Sequence, residues 1–169
     1  MLIRVKRLSA CALVVALGLA LTACRQADGA LPPATGDVPN ELGDLSRDLW
    51  NVANHNPQGV EDLAGDLRHY AEGTDAGPAA SVELSRRLGE VLAGKTFMIA
   101  DALPVAHTCW VAVAGRQLSE KQVENLQNEM KAQLMTLGVD EQQAQNVATQ
   151  VGAVQQAVTA RHRRWYELL

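Results

Sequence analysis

Apolar residues recur at intervals of three and four along the chain from residue 40 onward, the spacing that places side chains on one face of an α-helix. The first stripe consists of Leu42, Leu45, Leu49, Val52 and Ala53. No segment of this region has a convincing strand pattern. The chain therefore predicts an all-α fold, in which residues 40–169 form a single-domain, irregular bundle of five or six helices.

Turn and capping residues mark the limits of the first three helices. Asn56 suits an N-cap, followed by Pro57 at the first position of the second helix. The turn residues of 73–78 predict a loop, and Gly94 predicts the end of the third helix. The second stripe consists of Val60, Leu63, Ala64, Leu67 and Ala71, and the third of Val82, Leu84, Leu88, Val91 and Leu92.

Residues 97–115 form the most apolar stretch after residue 40. Asp101, Pro104 and His107 interrupt it, so a central helix buried on most sides is favoured over a membrane span. This helix is expected either to contain a kink or to start late, near Pro104. Asp101 is interpreted as a helix-cap or loop residue, and the alternative is a polar group inside a core or groove.

The last two helices are predicted to form an antiparallel hairpin. Ser119 and Gln122 have the spacing of a capping box, and Gly138 suits the position just after a helix end. Asp140 then caps the final helix. Because the connection is so short, the two amphipathic helices must pack against each other.

The start of the chain has the organisation of an export leader. Three basic residues precede an apolar run over 8–21, which is too short for a membrane-spanning helix, since that needs about 20 residues. The run ends in Leu21-Thr22-Ala23-Cys24. This segment resembles the signal peptide and lipobox of bacterial lipoproteins.

The resemblance implies that residues 1–23 are cleaved and that Cys24 carries a diacylglyceryl thioether and an acylated amino group. The protein is then expected in the bacterial cell envelope, anchored to the membrane by lipid and facing the periplasm. Arg25 after the Cys favours the outer membrane in a Gram-negative host. Residues 24–39 are rich in Pro and Gly, which predicts a flexible tether before the bundle.

Removal of the leader makes the protein more acidic. The chain has 15 Lys and Arg against 19 Asp and Glu, and three of the bases lie in the leader, so the mature net charge is −7. Residues 24–83 contain three bases and eleven acids. Nucleic acid is not expected as a partner, because phosphate binding needs a basic surface.

No catalytic residue, metal site or cofactor is predicted, and the protein is interpreted as a non-enzyme. Gly89–Thr96 fits the P-loop pattern, but a helical period precedes it where a P-loop needs a strand. His107 and Cys109 are two positions apart, which on a helix turns them about 200° from each other, so they cannot share a metal ion. Cys109 is expected to be a buried, inert thiol.

The chain closes on a basic and aromatic cluster whose members are Arg161, Arg163, Arg164 and Trp165. These cations can complement the dipole at a helix C-terminus, with Trp165 packed on the bundle. The alternative is an interaction site for lipid headgroups, an acidic partner or the protein's own acidic half. The four residues are therefore the candidate interaction residues.

One further segment, Leu-Ser-Glu-Lys-Gln at 118–122, is similar to the Leu-Thr-x-x-Gln motif of the periplasmic Spy/CpxP family of helical stress chaperones. It occurs once here, whereas that family usually has two copies. The resemblance implies a chaperone or stress-sensor role.

The function predicted from these features is that of a membrane-anchored envelope lipoprotein. Its role is expected to be structural or in protein interaction, with another envelope protein as partner. Two alternatives are kept open: a helical module that binds a lipid or other small ligand in an apolar pocket formed by 97–115, and the Spy-like chaperone.

Overall fold

The structure of the protein is a computed structural model that describes residues 38–73 and 78–166. These residues contain six helices and no strand, so the predicted all-α bundle is confirmed. The helices are α1 Val38–Ala53, α2 Pro57–Gly73, α3 Pro78–Leu92, α4 Ile99–Val113, α5 Glu120–Thr136 and α6 Glu141–Tyr166. The expected leader, Cys24 and most of the expected tether lie outside the described residues.

Hydrogen bonds between helix ends bring several connections to one end of the bundle. The Gly94 N–H donates to the Ala53 carbonyl at 2.8 Å, which places the end of α3 beside the end of α1. Lys95 Nζ donates to the Gly138 carbonyl at 3.1 Å, so the turn between α5 and α6 lies there too. We call this the Gly94 end; it contains the ends of α1, α3 and α5 and the starts of α2, α4 and α6.

The opposite end, called the Val38 end, contains the start of α1 and the last turns of α6. Gln155 Nε2 and Thr159 Oγ1 of α6 donate to the Arg116 carbonyl between α4 and α5, at 2.8 and 3.2 Å. Ala71 near the end of α2 packs with Val158 of α6. Since α6 has 26 residues and α5 has 17, α6 continues about two turns beyond the start of α5.

A single large hydrophobic core receives side chains from all six helices. α4 lies at its centre and packs against each of the other five helices. This confirms the prediction of a central helix, because most of the second half of α4 is buried, including every residue from Thr108 to Val113. Burial of these apolar side chains supplies the main driving force for the fold.

Two residues assigned to apolar stripes are in fact on the surface. Val60 of α2 is 36 % exposed and Val82 of α3 is 42 % exposed, so their predicted core positions are wrong. Val82 follows directly after the buried Ser81, about 100° further around the helix, which turns it away from the core. Small polar residues occupy part of the buried face of α3 instead, and Ser85 is buried as well.

The start of α4 also differs from expectation. The helix begins at Ile99, five positions before Pro104, so the late start is wrong. Asp101 closes the first turn, since its Oδ2 accepts the Met98 N–H at 3.0 Å. Asp101 is exposed, so its interpretation as a cap residue is confirmed and a place inside the core is wrong.

The remaining predicted caps are confirmed. Asn56 Oδ1 accepts the Gln58 N–H at 3.1 Å, and Asp140 Oδ1 accepts the Gln143 N–H at 3.0 Å. Ser119 and Gln122 form the reciprocal capping box at the start of α5. Gly138 follows the end of α5 with φ +82°, a backbone conformation that glycine adopts without strain.

Candidate functional site

Exposed apolar side chains collect at the start of α4. Met98 is 72 % exposed, Leu103 45 % and Ile99 42 %, and Ala100 and Pro104 beside them are exposed as well. Ile99 and Leu103, like Ala100 and Pro104, are four positions apart and therefore neighbours on the helix surface. We call these five residues the apolar patch.

The patch is the part of α4 that the bundle leaves uncovered. Burial increases along the helix, from exposed side chains in the first two turns to an enclosed run from Thr108 onward. The patch also lies at the Gly94 end, whereas the chain enters the bundle at the Val38 end. Contiguous apolar side chains on a surface mark interaction sites more often than single exposed ones do.

Two open grooves lie along the α5–α6 hairpin. One, of about 370 Å³, is lined by Lys131, Glu141, Gln142, Gln145 and Asn146. The other, of about 240 Å³, is lined by Leu118, Glu120, Val123, Gln155, Gln156, Thr159, Ala160 and Arg163. Neither groove includes a residue of 97–115, the stretch from which the sequence predicted an apolar ligand pocket. Both grooves are open to solvent rather than enclosed, which does not favour burial of an apolar ligand.

A second feature lies between α1 and α2, where two carboxyl groups meet. Asp48 of α1 is only 7 % exposed, and its side chain is hydrogen-bonded to that of Asp66 of α2. Asp66 Oδ2 is buried and has no hydrogen-bond partner among the described residues. Since two adjacent buried carboxylates repel each other strongly, the pair is stable only when it holds a proton.

The electrostatic surroundings place that proton on Asp48. Burial raises the pKa of Asp48 to about 8, and the hydrogen bond with Asp66 and the charges of Asp66 and Asp62 add to this, while Arg47 opposes it. Burial also raises the pKa of Asp66, but the hydrogen bond from Asp48 lowers it. The carboxyl pair can therefore take up and release a proton inside a helix–helix contact.

The structure describes only part of the cluster predicted at the end of the chain. Arg161 and Arg163 lie on α6 and are exposed. The side chains of Arg164 and Trp165 lie outside the described part of the chain. Arg163 lines the smaller groove beside Leu118, so it belongs to the surface shared by α6 and the start of α5.

The weaker sequence motifs have structural roles. Gly89 lies inside α3, so no strand precedes Gly94 and the P-loop context is absent. Ser119 and Gln122 of the Spy-like segment form the capping box of α5.

His107 and Cys109 of α4 both lie in buried or partly buried surroundings. The His107 ring lies 5.9 Å from the Trp110 ring. Burial raises the pKa of the Cys109 thiol well above its usual value.

Within residues 38–73 and 78–166, no group of three or more His, Cys, Asp and Glu could hold a metal ion. No described helix combines the length and apolar character needed to cross a membrane. No family model matches the chain, and no curated protein or solved structure matches it significantly.

Proposed function

We propose that this protein is a non-catalytic envelope lipoprotein whose helical bundle binds another envelope protein through the apolar patch. The observation that carries the proposal is the exposure of Met98, Ile99 and Leu103 on an otherwise well-enclosed central helix. Full burial of such a side chain contributes about 1.5–3 kcal/mol relative to full exposure, and Ile99 and Leu103, at 42 % and 45 % exposed, have roughly half of this still to gain. A partner that covers them recovers part of this free energy.

The position of the patch suits a lipid-anchored protein. The anchor at Cys24 precedes α1, and α1 starts at the Val38 end, so a lipid at Cys24 leaves the Gly94 end free to face away from the membrane. The patch is then accessible to a protein in the periplasm or on the opposite membrane. A lipid ligand is the less favoured alternative, because the grooves described on the α5–α6 hairpin are open and neither includes a residue of 97–115.

Replacement of Cys24 by Ser is expected to abolish both acylation and the removal of residues 1–23, because the lipobox that directs both steps is lost. Intact-mass measurement of the wild-type protein is expected to show loss of 23 residues and addition of acyl groups. Cys11→Ala serves as the control, because that residue belongs to the cleaved leader and carries no lipid. A wild-type protein that keeps residues 1–23 or carries no acyl group, or a Cys24→Ser protein that is still processed and acylated, would contradict the lipid anchor.

A photo-crosslinking amino acid at Leu103 tests the patch in envelopes of cells that make the full chain. We expect a discrete crosslinked product from Leu103 and from Met98. Val82 is the matched control, since it is an equally exposed apolar residue on α3. Leu103→Lys is expected to abolish the product formed from Met98, whereas Val82→Lys leaves it unchanged.

Identical products from Leu103 and Val82, or no product from either, would exclude the patch as the binding surface. A product containing two copies of this chain would replace the envelope partner with self-association.

A further inference from the structure

Four exposed cations occupy the Val38 end on the side of α5 and α6. Arg116 and Lys121 flank the capping residues at the start of α5, and Arg161 and Arg163 lie on the last turns of α6. The hydrogen bonds from Gln155 and Thr159 to the Arg116 carbonyl hold the two segments together. We call these four residues the basic cluster.

Among the described residues, no member of the basic cluster forms an ion pair with a carboxylate, although Glu120 lines the smaller groove together with Arg163. Arg116 instead lies over the Trp110 ring at 5.4 Å. The described cations that do hold a carboxylate are Arg47, Arg86, Arg87 and Lys131. The protein has a net negative charge, so a group of cations without ion pairs at one end is a candidate anion-binding surface.

The length of the chain before α1 places this end near the anchor. Val38 is 14 residues from Cys24. A segment of that length spans about 43 Å if fully extended as polyproline II and about 20 Å as an average coil. The tether therefore keeps the Val38 end within about 43 Å of the lipid surface, and the Gly94 end can lie farther away by the length of α1.

We infer that the basic cluster contacts the headgroups of anionic phospholipids in the membrane that holds the anchor. This inference rests on the proposed lipid anchor and adds an orientation to it. Arg and Lys side chains near an anionic surface are attracted by its negative potential within about a Debye length, roughly 8 Å at physiological salt. The tether supplies the proximity that such a short-range attraction requires.

The other side of the Val38 end has the opposite charge. Glu41 and Asp44 lie in the first two turns of α1, and Glu41 faces His69 at 3.4 Å. Asp44 is paired with Arg47, so repulsion of Glu41 and attraction of the basic cluster act together to tilt the bundle. The contact thus places the α5–α6 side toward the membrane and keeps the α1–α2 side away from it.

The test uses the full chain, purified in its processed form and reconstituted into vesicles that contain a headgroup-linked fluorescence quencher. A fluorophore on Ala160→Cys reports the last turns of α6, and one on Ala132→Cys reports the Gly94 end; both positions are exposed. In vesicles of phosphatidylcholine and phosphatidylglycerol, we expect stronger quenching at position 160 than at position 132. The difference is expected to disappear in pure phosphatidylcholine and in high salt.

Charge variants identify the residues responsible. Arg161→Gln and Arg163→Gln are each expected to lower the ratio of docked to undocked protein by about fivefold. Arg47→Gln and Arg86→Gln are the matched controls, because both arginines are already paired with carboxylates. Equal quenching in the two lipid mixtures, or equal effects of both pairs of variants, would overturn the inference while leaving the anchor intact.

Failure of the anchor is seen separately. If the chain does not float with pure phosphatidylcholine vesicles, the lipid attachment fails, and the proposed function and this inference fall together.

Discussion

Replacement of Gly59 by Ala is expected to lower the free energy of unfolding by about 3 kcal/mol, the upper part of the range for overpacking. Gly59 lies in the first turn of α2 and faces α1. A Cβ at this position would clash with Asn51 Cβ and lie only 3.1 and 3.2 Å from the Asn51 backbone carbon atoms. Since backbone and Cβ atoms cannot turn away, the two helices must separate.

Two other glycines of the bundle give the controls for this prediction. Gly65 lies in the same helix with no atom within 4 Å of an added Cβ, so Gly65→Ala is expected to stabilise by about 0.5–1 kcal/mol. At Gly152, the added Cβ meets only the Gln127 side chain, which can move, so Gly152→Ala costs less than Gly59→Ala. Urea unfolding followed by circular dichroism measures all three. A Gly59→Ala protein as stable as the wild type would show that α1 and α2 do not approach closely.

Asp48→Asn is expected to stabilise the protein at neutral and alkaline pH. The Asn amide can donate to Asp66 as the protonated Asp48 does, but it carries no proton to lose. At a pH of about 8 and above, the variant is expected to gain several kcal/mol, because the unfolded wild-type chain releases the Asp48 proton across the whole window from 3.8 to about 8. This direction is unusual for removal of a buried hydrogen-bonding side chain, which makes the result diagnostic.

The raised pKa of Asp48 makes the free energy of unfolding decrease as pH rises. The pKa of Asp48 is raised from 3.8 to about 8, so between these values the folded state binds a proton that the unfolded chain has released. The free energy of unfolding must therefore fall as pH rises through this window. Above a pH of about 8, Asp48 causes no further decrease. One such proton gives a slope of about 1.4 kcal/mol per pH unit.

Urea unfolding at several pH values measures this slope. We expect the free energy of unfolding of the wild type to decrease as pH rises, and that of Asp48→Asn to change little. Asp62→Asn removes the same charge at an exposed neighbour and is expected to keep the slope. A stability that rises with pH in the wild type, or a slope that persists in Asp48→Asn, would rule out a proton held by the carboxyl pair.

The helical fold could be predicted because the spacing of apolar residues and the capping residues that define each helix lie within that helix or beside its ends. The spacing of Leu42, Leu45 and Leu49 defines the buried face of α1, and all three are buried. Capping residues such as Asp140 act within one helical turn, so they could also be predicted from the sequence. Val82 was assigned to the wrong side because an apolar residue at the margin of a stripe fits the period almost as well as a core residue.

The two candidate features could not be predicted, because both depend on how helices are placed relative to one another. Asp48 and Asp66 meet only through the register of α1 against α2, which no local pattern contains. The sequence shows that the stretch around Leu103 is apolar, but not that the other helices leave one side of its first turns uncovered. The candidate interaction residues Arg161 and Arg163 could be picked out from the sequence, because they belong to a run of basic residues.

The enclosure of Cys109 has a practical consequence. In the processed lipoprotein that we propose, Cys11 is removed and Cys24 is acylated, so Cys109 is the sole free thiol. It is fully buried in α4, the helix that packs against all the others. Modification of this thiol by a small reagent therefore requires the bundle to open. The rate of labelling by such a reagent therefore reports how often the fold opens, and it can be measured in the native envelope without introducing a cysteine.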